Sequence, residues 1–237
     1  MIVIENLCKQ FGKLQALKNV NLTLSAGACI ALVGPNGCGK TTLMKSILGM
    51  ALPDKGTILF DGKDIKNEFA YRSRIGYMPQ IGRYPDNMTI KQVIDMIKHL
   101  RHYPENQTDK DLITRYQIND LAHKRMSTLS GGTTQKVSAV LAFLFNPDVY
   151  ILDEPTAGLD PIAAEILKDK IMEEKAKGKL ILISSHLLNE LDELITELIF
   201  MQDGEVLFHK KTDDLRNETG EAKISKTITN MLKKQMS

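Results

Sequence analysis

The sequence contains no tryptophan and few aromatic residues, 5% in all. A stacking platform for single-stranded nucleic acid needs successive exposed rings, so none is expected. Cysteine is nearly as scarce. Its three copies (Cys8, Cys29 and Cys38) are odd in number, scattered and without metal-ligand spacing. Neither a disulfide framework nor a zinc site follows, and a reduced, cytoplasmic setting fits best. Long apolar runs are missing as well. The longest, Ala139 to Phe145, falls far short of the roughly 20 residues of a membrane-spanning helix. The opening MIVIENLCKQ lacks the basic start, apolar stretch and cleavage site of a signal peptide. No charge of one sign dominates. The 31 basic and 29 acidic residues leave a net charge of +2, too balanced to attract nucleic acid by bulk electrostatics, and no nucleic-acid partner is expected. What is present is ordinary for a folded chain: 237 residues, 43% hydrophobic and 25% charged, enough apolar material for a core in one or two domains.

The pattern along the chain is that of an α/β protein. Val20, Leu22 and Leu24 alternate with polar residues, the period of a half-buried strand. Ala28 to Val33 is a continuous apolar run, as in a strand buried on both faces. A Gly-rich turn follows, and Thr41 to Met50 reads as a helix. Thr57 to Phe60 reads as a strand closed by the turn pair Asp61-Gly62. The middle third changes character. Ile90, Val93, Ile94 and Ile97 recur at helical spacing, and further helices are expected at Asp111 to Tyr116 and after Gly132. Two more buried strand patterns, Val149 to Leu152 and Leu180 to Ser184, flank a helix from Ile162 to Lys177. Strands alternating with helices predict a parallel sheet, interrupted by a mostly helical insert over about 82–146. Residues 1–215 form the main domain in this reading. The tail, 216–237, is a helical extension, and its basic stretch from Glu221 to Ser237 reads as a solvated face, with dimer contact or membrane-surface contact as the alternatives.

Gly34 to Thr41 reads GPNGCGKT, which fits Gly, four residues, Gly, Lys, then Ser or Thr. A buried strand precedes it and a helix follows, the context a phosphate-binding loop requires. Its glycines (Gly34, Gly37 and Gly39) let the backbone curl so that successive N–H groups point at phosphate oxygens, with Pro35, Asn36 and Cys38 between them. The helix beginning near Thr41 and Thr42 adds its dipole and orphan N–H groups. Lys40 reaches the β- and γ-phosphates, and the Thr41 hydroxyl is offered to Mg²⁺. A nucleoside triphosphate with Mg²⁺ is therefore the expected ligand.

Far downstream, YILDE puts Asp153 and Glu154 at a strand's carboxyl end, the ligand edge of an open α/β sheet. Asp153 is placed to hold the Mg²⁺ shell, and Glu154 to orient or deprotonate an attacking water. Between the two motifs, LSGG sets Ser130, Gly131 and Gly132 at the start of a helix, a second anion site built from a hydroxyl and bare N–H groups. Two phosphate sites separated by a helical insert make sense if the second closes on another copy's nucleotide.

With these residues in order, the chain resembles the ATP-binding-cassette (ABC) ATPases over about residues 1–215. GPNGCGKT and YILDEP resemble the family's two nucleotide motifs, LSGG its signature, and AGLD (Ala157 to Asp160) the loop crossing its dimer interface. The resemblance implies a P-loop NTPase core with a parallel sheet, an N-terminal antiparallel β subdomain and the helical insert. It implies that Phe11 stacks on adenine, that Gln80 ligates Mg²⁺ and joins core to insert, and that His186 contacts the γ-phosphate. It implies an ATPase that works as a head-to-tail dimer with ATP, lying at the inner face of the membrane beneath an integral membrane subunit. A helix of that subunit would enter the groove near Gln80 to Thr89, lined by Arg83, Tyr84 and Met88. An exporter-like transporter, or one of the copper-handling type in nitrous-oxide-reductase maturation, is implied; the alternative is a soluble, non-transport ABC ATPase of translation or DNA repair. One departure stands out: the family signature usually continues with Gln, where this chain has Thr133.

Overall fold

A computed structural model describes residues 1–185, 192–221 and 226. Two sheets and six helices organise these residues. The first sheet is antiparallel. Strands β1 (Ile2–Phe11), β2 (Leu14–Leu24), β4 (Lys55–Phe60) and β5 (Lys63–Asp64) take the order β2-β1-β4-β5. The Asp61-Gly62 turn between β4 and β5 has positive φ at both residues, which matches the twist of the flanking strands. The second sheet contains β3 (Cys29–Val33), β6 (Ile75–Met78), β7 (Val149–Asp153), β8 (Leu180–Ser184), β9 (Glu197–Gln202) and β10 (Glu205–Lys211). Its order is β10-β9-β3-β8-β7-β6, parallel except for the β9–β10 hairpin.

Every residue of β3, β7 and β8 is buried, so these strands separate two cores. Cys29, Ala31, Tyr150, Leu152, Ile181 and Ile183 face α4 (Gly131–Phe143) and α5 (Pro161–Ala176). Ile30, Leu32, Val149, Ile151, Leu180 and Leu182 face the other way, onto α1 (Lys40–Ile47) and the antiparallel sheet. The alternation is the period of two expected of strands with helices or sheet on both faces. All three cysteines are free thiols, and burial pushes that of Cys29 up to about 12.

The helical segment lies between β6 and β7. It contains α2 (Ile90–Arg101), α3 (Asp111–Arg115) and α4. Thr89 caps α2 through a reciprocal box with Gln92, satisfying two otherwise unpaired donors. The segment is tied to α5 by ion pairs. Lys170 lies 2.6 Å from Asp109, 3.5 Å from Asp111 and 3.3 Å from Glu174, and Arg115 joins Asp111 and Glu173 at 2.8 and 2.5 Å. The hydroxyl of Tyr150, on β7, donates to Glu174 from the core side at 3.0 Å.

The phosphate-loop region is held from behind by the β9–β10 hairpin. The Gly204 N–H donates to the Cys38 carbonyl at 3.1 Å, and the Lys18 N–H on β2 donates to the Gly204 carbonyl at 2.8 Å. Helix α6 (Thr212–Thr219) follows β10 and spans the expected boundary at 215/216. The tail beyond it, expected to be a basic helix, lies outside the described residues apart from 220, 221 and 226.

Candidate active site

Strand β3 runs into the loop over 34–39, and α1 starts at Lys40. Gly39 is the N-cap residue of α1, with φ 108, and no side chain caps the helix. A Cβ at this glycine would lie 2.5 Å from the Ala16 carbonyl oxygen, so both conformation and space demand glycine here. The uncapped first turn leaves its amide donors for an incoming anion. Lys40 is buried. Its ammonium turns back over the loop, donating to the carbonyls of Gly34 at 2.8 Å and Pro35 at 3.1 Å. A positive charge is therefore held over the loop by two of its own carbonyls. Cys38 is buried and packs with the core that faces α1. The Thr42 carbonyl accepts from Ser46 within the helix.

The carboxyl ends of β7 and β8 bring the acids to this loop. The Thr41 hydroxyl donates to Asp153 Oδ2 at 3.2 Å across more than a hundred residues of sequence. Asp153 Oδ1 accepts from the Ser184 hydroxyl at 2.5 Å, and the Ser184 oxygen accepts the Glu154 N–H at 3.0 Å. Parallel pairing places Asp153 opposite Ser184. Sequence reasoning gave Ser184 no role of its own. No motif spacing carries it, and the available signal was that both residues end buried strands. Glu154 has φ 49, a left-handed conformation that costs a non-glycine residue of order 1 kcal/mol and recurs at functional sites. Gln80, just beyond β6, donates to Glu154 Oε2 at 3.2 Å. Burial and then the Asp153 charge push the nearby Tyr77 phenol up to about 12, keeping it neutral.

Thr41, Asp153, Ser184, Glu154 and Gln80 thus form one hydrogen-bonded chain beside Lys40. Its donor set near Thr41 is a hydroxyl, one carboxylate and a neighbouring amide. Mg²⁺ favours hard oxygen ligands, one or two of them carboxylates, with phosphate oxygens completing its shell. The residues present fit that ion.

Ser130, Gly131 and Gly132 stand apart from this chain, at the start of α4. Ser130 is the N-cap residue and accepts the Thr133 N–H at 3.3 Å. A Cβ at Gly131 would meet nothing within 4 Å, whereas one at Gly132 would lie 2.9 Å from the Gly158 carbonyl oxygen. Lys136 bonds Asp160 at 2.8 Å, and Asp160 in turn caps α5. The signature turn and the Ala157 to Asp160 loop are therefore built as one unit.

Phe11 ends β1 as a residue 51% exposed, and the Lys9 ammonium lies 5.2 Å from the ring centroid. An open aromatic face is available there for a flat partner. Of the expected groove residues, Arg83 is exposed and Met88 half-buried. Tyr84 is turned inward, its hydroxyl 2.9 Å from Ser138 on α4. His186, assigned to the γ-phosphate by resemblance, lies outside the described residues. Among the described residues, no helix is long and apolar enough to cross a membrane.

Comparison with known proteins agrees with this geometry. The sequence model described as "ABC transporter" matches residues 17–157. The ABC transporter ATP-binding protein YtrB of Bacillus subtilis (strain 168) is 34% identical over 221 residues, covering 92% of this chain and 74% of that protein. The Nod factor export ATP-binding protein I of Burkholderia lata is 32% identical over 207 residues, covering 86% of this chain and 68% of that protein. A solved structure of the ATP-binding subunit of an ABC transporter superposes with a TM-score of 0.90 at 27% identity, covering 98% of this chain and 99% of that one.

Proposed function

The chain belongs to the ABC transporter family of ATP-binding proteins, and from that premise we propose that two copies bind and hydrolyse ATP between them to drive export through a separate membrane subunit. One observation carries the proposal: the hydrogen-bonded chain from Thr41 through Asp153 and Ser184 to Glu154 and Gln80. It gathers a metal-binding hydroxyl, a metal-binding carboxylate, a base and a linking amide beside the Lys40 ammonium.

Each residue then has a task. The amides over 34–39 and the first turn of α1, with Thr42, hold the triphosphate, and Lys40 leaves its own carbonyls for the β- and γ-phosphate oxygens. Thr41, Asp153 and Gln80 would hold Mg²⁺, which would neutralise phosphate charge when bound. Ser184 fixes one oxygen of Asp153 so that the other stays aimed at Thr41. Glu154, on its left-handed backbone, takes a proton from the attacking water as the bond to the γ-phosphorus forms and the bridging bond to ADP breaks. His186 steadies the γ-phosphate in this scheme, and Phe11 covers the adenine face. Gln80 sits at the junction between that chemistry and the helical segment.

Ser130, Gly131 and Gly132 offer a second set of donors with no nucleotide loop of their own, so they serve the partner copy's ATP in a head-to-tail pair. The γ-phosphate touches both copies only while it is attached, which makes closure favourable before hydrolysis and unfavourable after it. The membrane subunit converts that cycle into transport, with the ATPase lying against the inner face of the membrane. Export is favoured because a relative is named for it; the copper-handling type gains nothing from the relatives' names.

The test is Glu154→Gln. Nucleotide binding is expected to persist, turnover to fall by about 10²–10⁴-fold, the usual worth of a positioned base, and a stable dimer to appear on size exclusion with ATP. A variant that hydrolyses ATP at the parent rate would sink the assignment.

A further inference from the structure

Thr133 stands where the family signature usually has Gln, and its hydroxyl meets the N-cap serine directly. It lies 2.9 Å from the Ser130 hydroxyl, and either oxygen can be the donor. Ser130 Oγ has one proton and two lone pairs. One lone pair already accepts the Thr133 N–H at 3.3 Å. If Thr133 donates its hydroxyl proton to the second, both acceptor sites of Ser130 are filled from one residue, and its remaining capacity is a single outward O–H donor. In the opposite orientation Ser130 spends its proton on Thr133 and has nothing left for an anion. The surroundings favour an approach from outside, because the space beside Gly131 is open and a Cβ there would meet no atom within 4 Å. The next threonine takes no part, its hydroxyl donating back to the Ser130 carbonyl at 3.2 Å.

We propose that Thr133 is a positioning residue: its hydroxyl orients Ser130 as a donor-only contact for the terminal phosphate of the nucleotide held by a second copy of this chain. The inference rests on the two-copy reading given above. A phosphate oxygen approaching Ser130 selects the orientation in which Thr133 donates, so the pair acts as a two-position proton switch set by the anion. Hydrogen bonds to charged groups are stronger than neutral ones, and a hydroxyl already accepting a hydrogen bond is itself a better donor. The effect should therefore be felt in closure on the triphosphate, and not in monomer binding.

The experiment uses the full chain carrying Glu154→Gln for dimerisation and the parent chain for kinetics. Thr133→Val keeps the branched shape and removes the hydroxyl; Thr133→Ser restores it. Thr133→Val is expected to weaken ATP-dependent dimerisation by about tenfold, the upper end of the net worth of one neutral hydrogen bond. ATP binding to the monomer and the thermal midpoint should stay at parent values, while the steady-state KM rises more than kcat falls. Thr133→Ser should return to within about twofold of the parent, which a purely structural role for the branched side chain would not give. Ser130→Arg is measured alongside. If it abolishes dimerisation while Thr133→Val leaves it unchanged, the positioning role is wrong and the two-copy reading stands. If Ser130→Arg also leaves dimerisation intact, the two-copy reading itself falls.

Discussion

Replacing Lys170 with methionine is expected to be among the most damaging single changes outside the nucleotide site. The Lys170 side chain is 3% exposed and that of Glu174, 3.3 Å away, is 0% exposed. Asp109 and Asp111 approach from the helical segment at 2.6 and 3.5 Å. Lys170→Met keeps most of the side-chain volume but strands a buried carboxylate. Among the described residues, Glu174 would retain Lys177, whose side chain is 51% exposed, and the Tyr150 hydroxyl. Breaking one partner of a buried pair costs about 3–5 kcal/mol, a large part of the roughly 5–15 kcal/mol that holds a domain folded. At about 2–4 °C per kcal/mol for this size, the thermal midpoint should drop by about 6–20 °C.

Titration gives the same cluster a pH signature. Burial pushes Glu174 upward, but the Lys177 hydrogen bond and the Lys170 charge outweigh it, leaving the carboxyl below its ordinary range. Asp109 behaves likewise, with Lys170 overriding burial. Burial pulls Lys170 down, yet Asp109 and Glu174 hold it above its usual value. Carboxyls depressed in the folded state add stability at pH values above their unfolded pKa, about 4, and lose it as pH falls through the folded one. Acid unfolding of the parent should therefore steepen below about pH 4. In Lys170→Met that slope should shrink, and adding Glu174→Gln should restore more than half of the lost stability by removing the stranded charge. Urea unfolding followed by circular dichroism across pH 3 to 8 reads all three chains. A single variant within about 1 kcal/mol of the parent would refute the cost assigned to a stranded buried charge.

Two further changes test the nucleotide machinery directly. Lys40→Ala should weaken ATP binding by at least about tenfold by equilibrium titration, since a charge-assisted contact is worth about 1.5–3 kcal/mol; unchanged affinity would count against the loop as the phosphate site. Gly132→Val should drive its side chain against the Gly158 carbonyl, 2.9 Å from where a Cβ would sit. Dimerisation on ATP should fail while monomer binding persists, and a dimer of parent strength would show that the tight seat of α4 on the 157–160 loop is irrelevant to pairing.

Much of this was legible in the sequence, and the gaps have physical causes. The buried strands β3, β7 and β8 announce themselves as unbroken apolar runs because both faces are covered. Strand β1 is legible only at Ile2 to Ile4. Beyond that point register shifts and the left-handed Asn6, φ 50, break the period-two pattern while pairing continues to Phe11. The β9–β10 hairpin is marked in the sequence by its turn alone, Asp203-Gly204, a usual hairpin signal with positive φ at both residues. The phosphate loop and the Asp153-Glu154 pair are local in sequence and stand out as motifs. Ser184 is not local: it meets Asp153 only through sheet register. Lys170, Asp109 and Glu174 look like solvated charges in the sequence, because nothing in a spacing pattern tells that helix α5 and the segment before α3 bring them together, with Lys170 and Glu174 buried.

The hairpin behind the phosphate loop is stitched on two sides through backbone atoms: the amide of Gly204 on the loop carbonyl of Cys38, and the amide of Lys18, on β2, on the carbonyl of Gly204. Stitches of that kind are indifferent to side-chain identity but strict about length. A change at Lys18 that keeps its N–H would pass unnoticed at the nucleotide, whereas one residue added to the Asp203-Gly204 turn would pull two seams at once and warp the loop from a place set behind it.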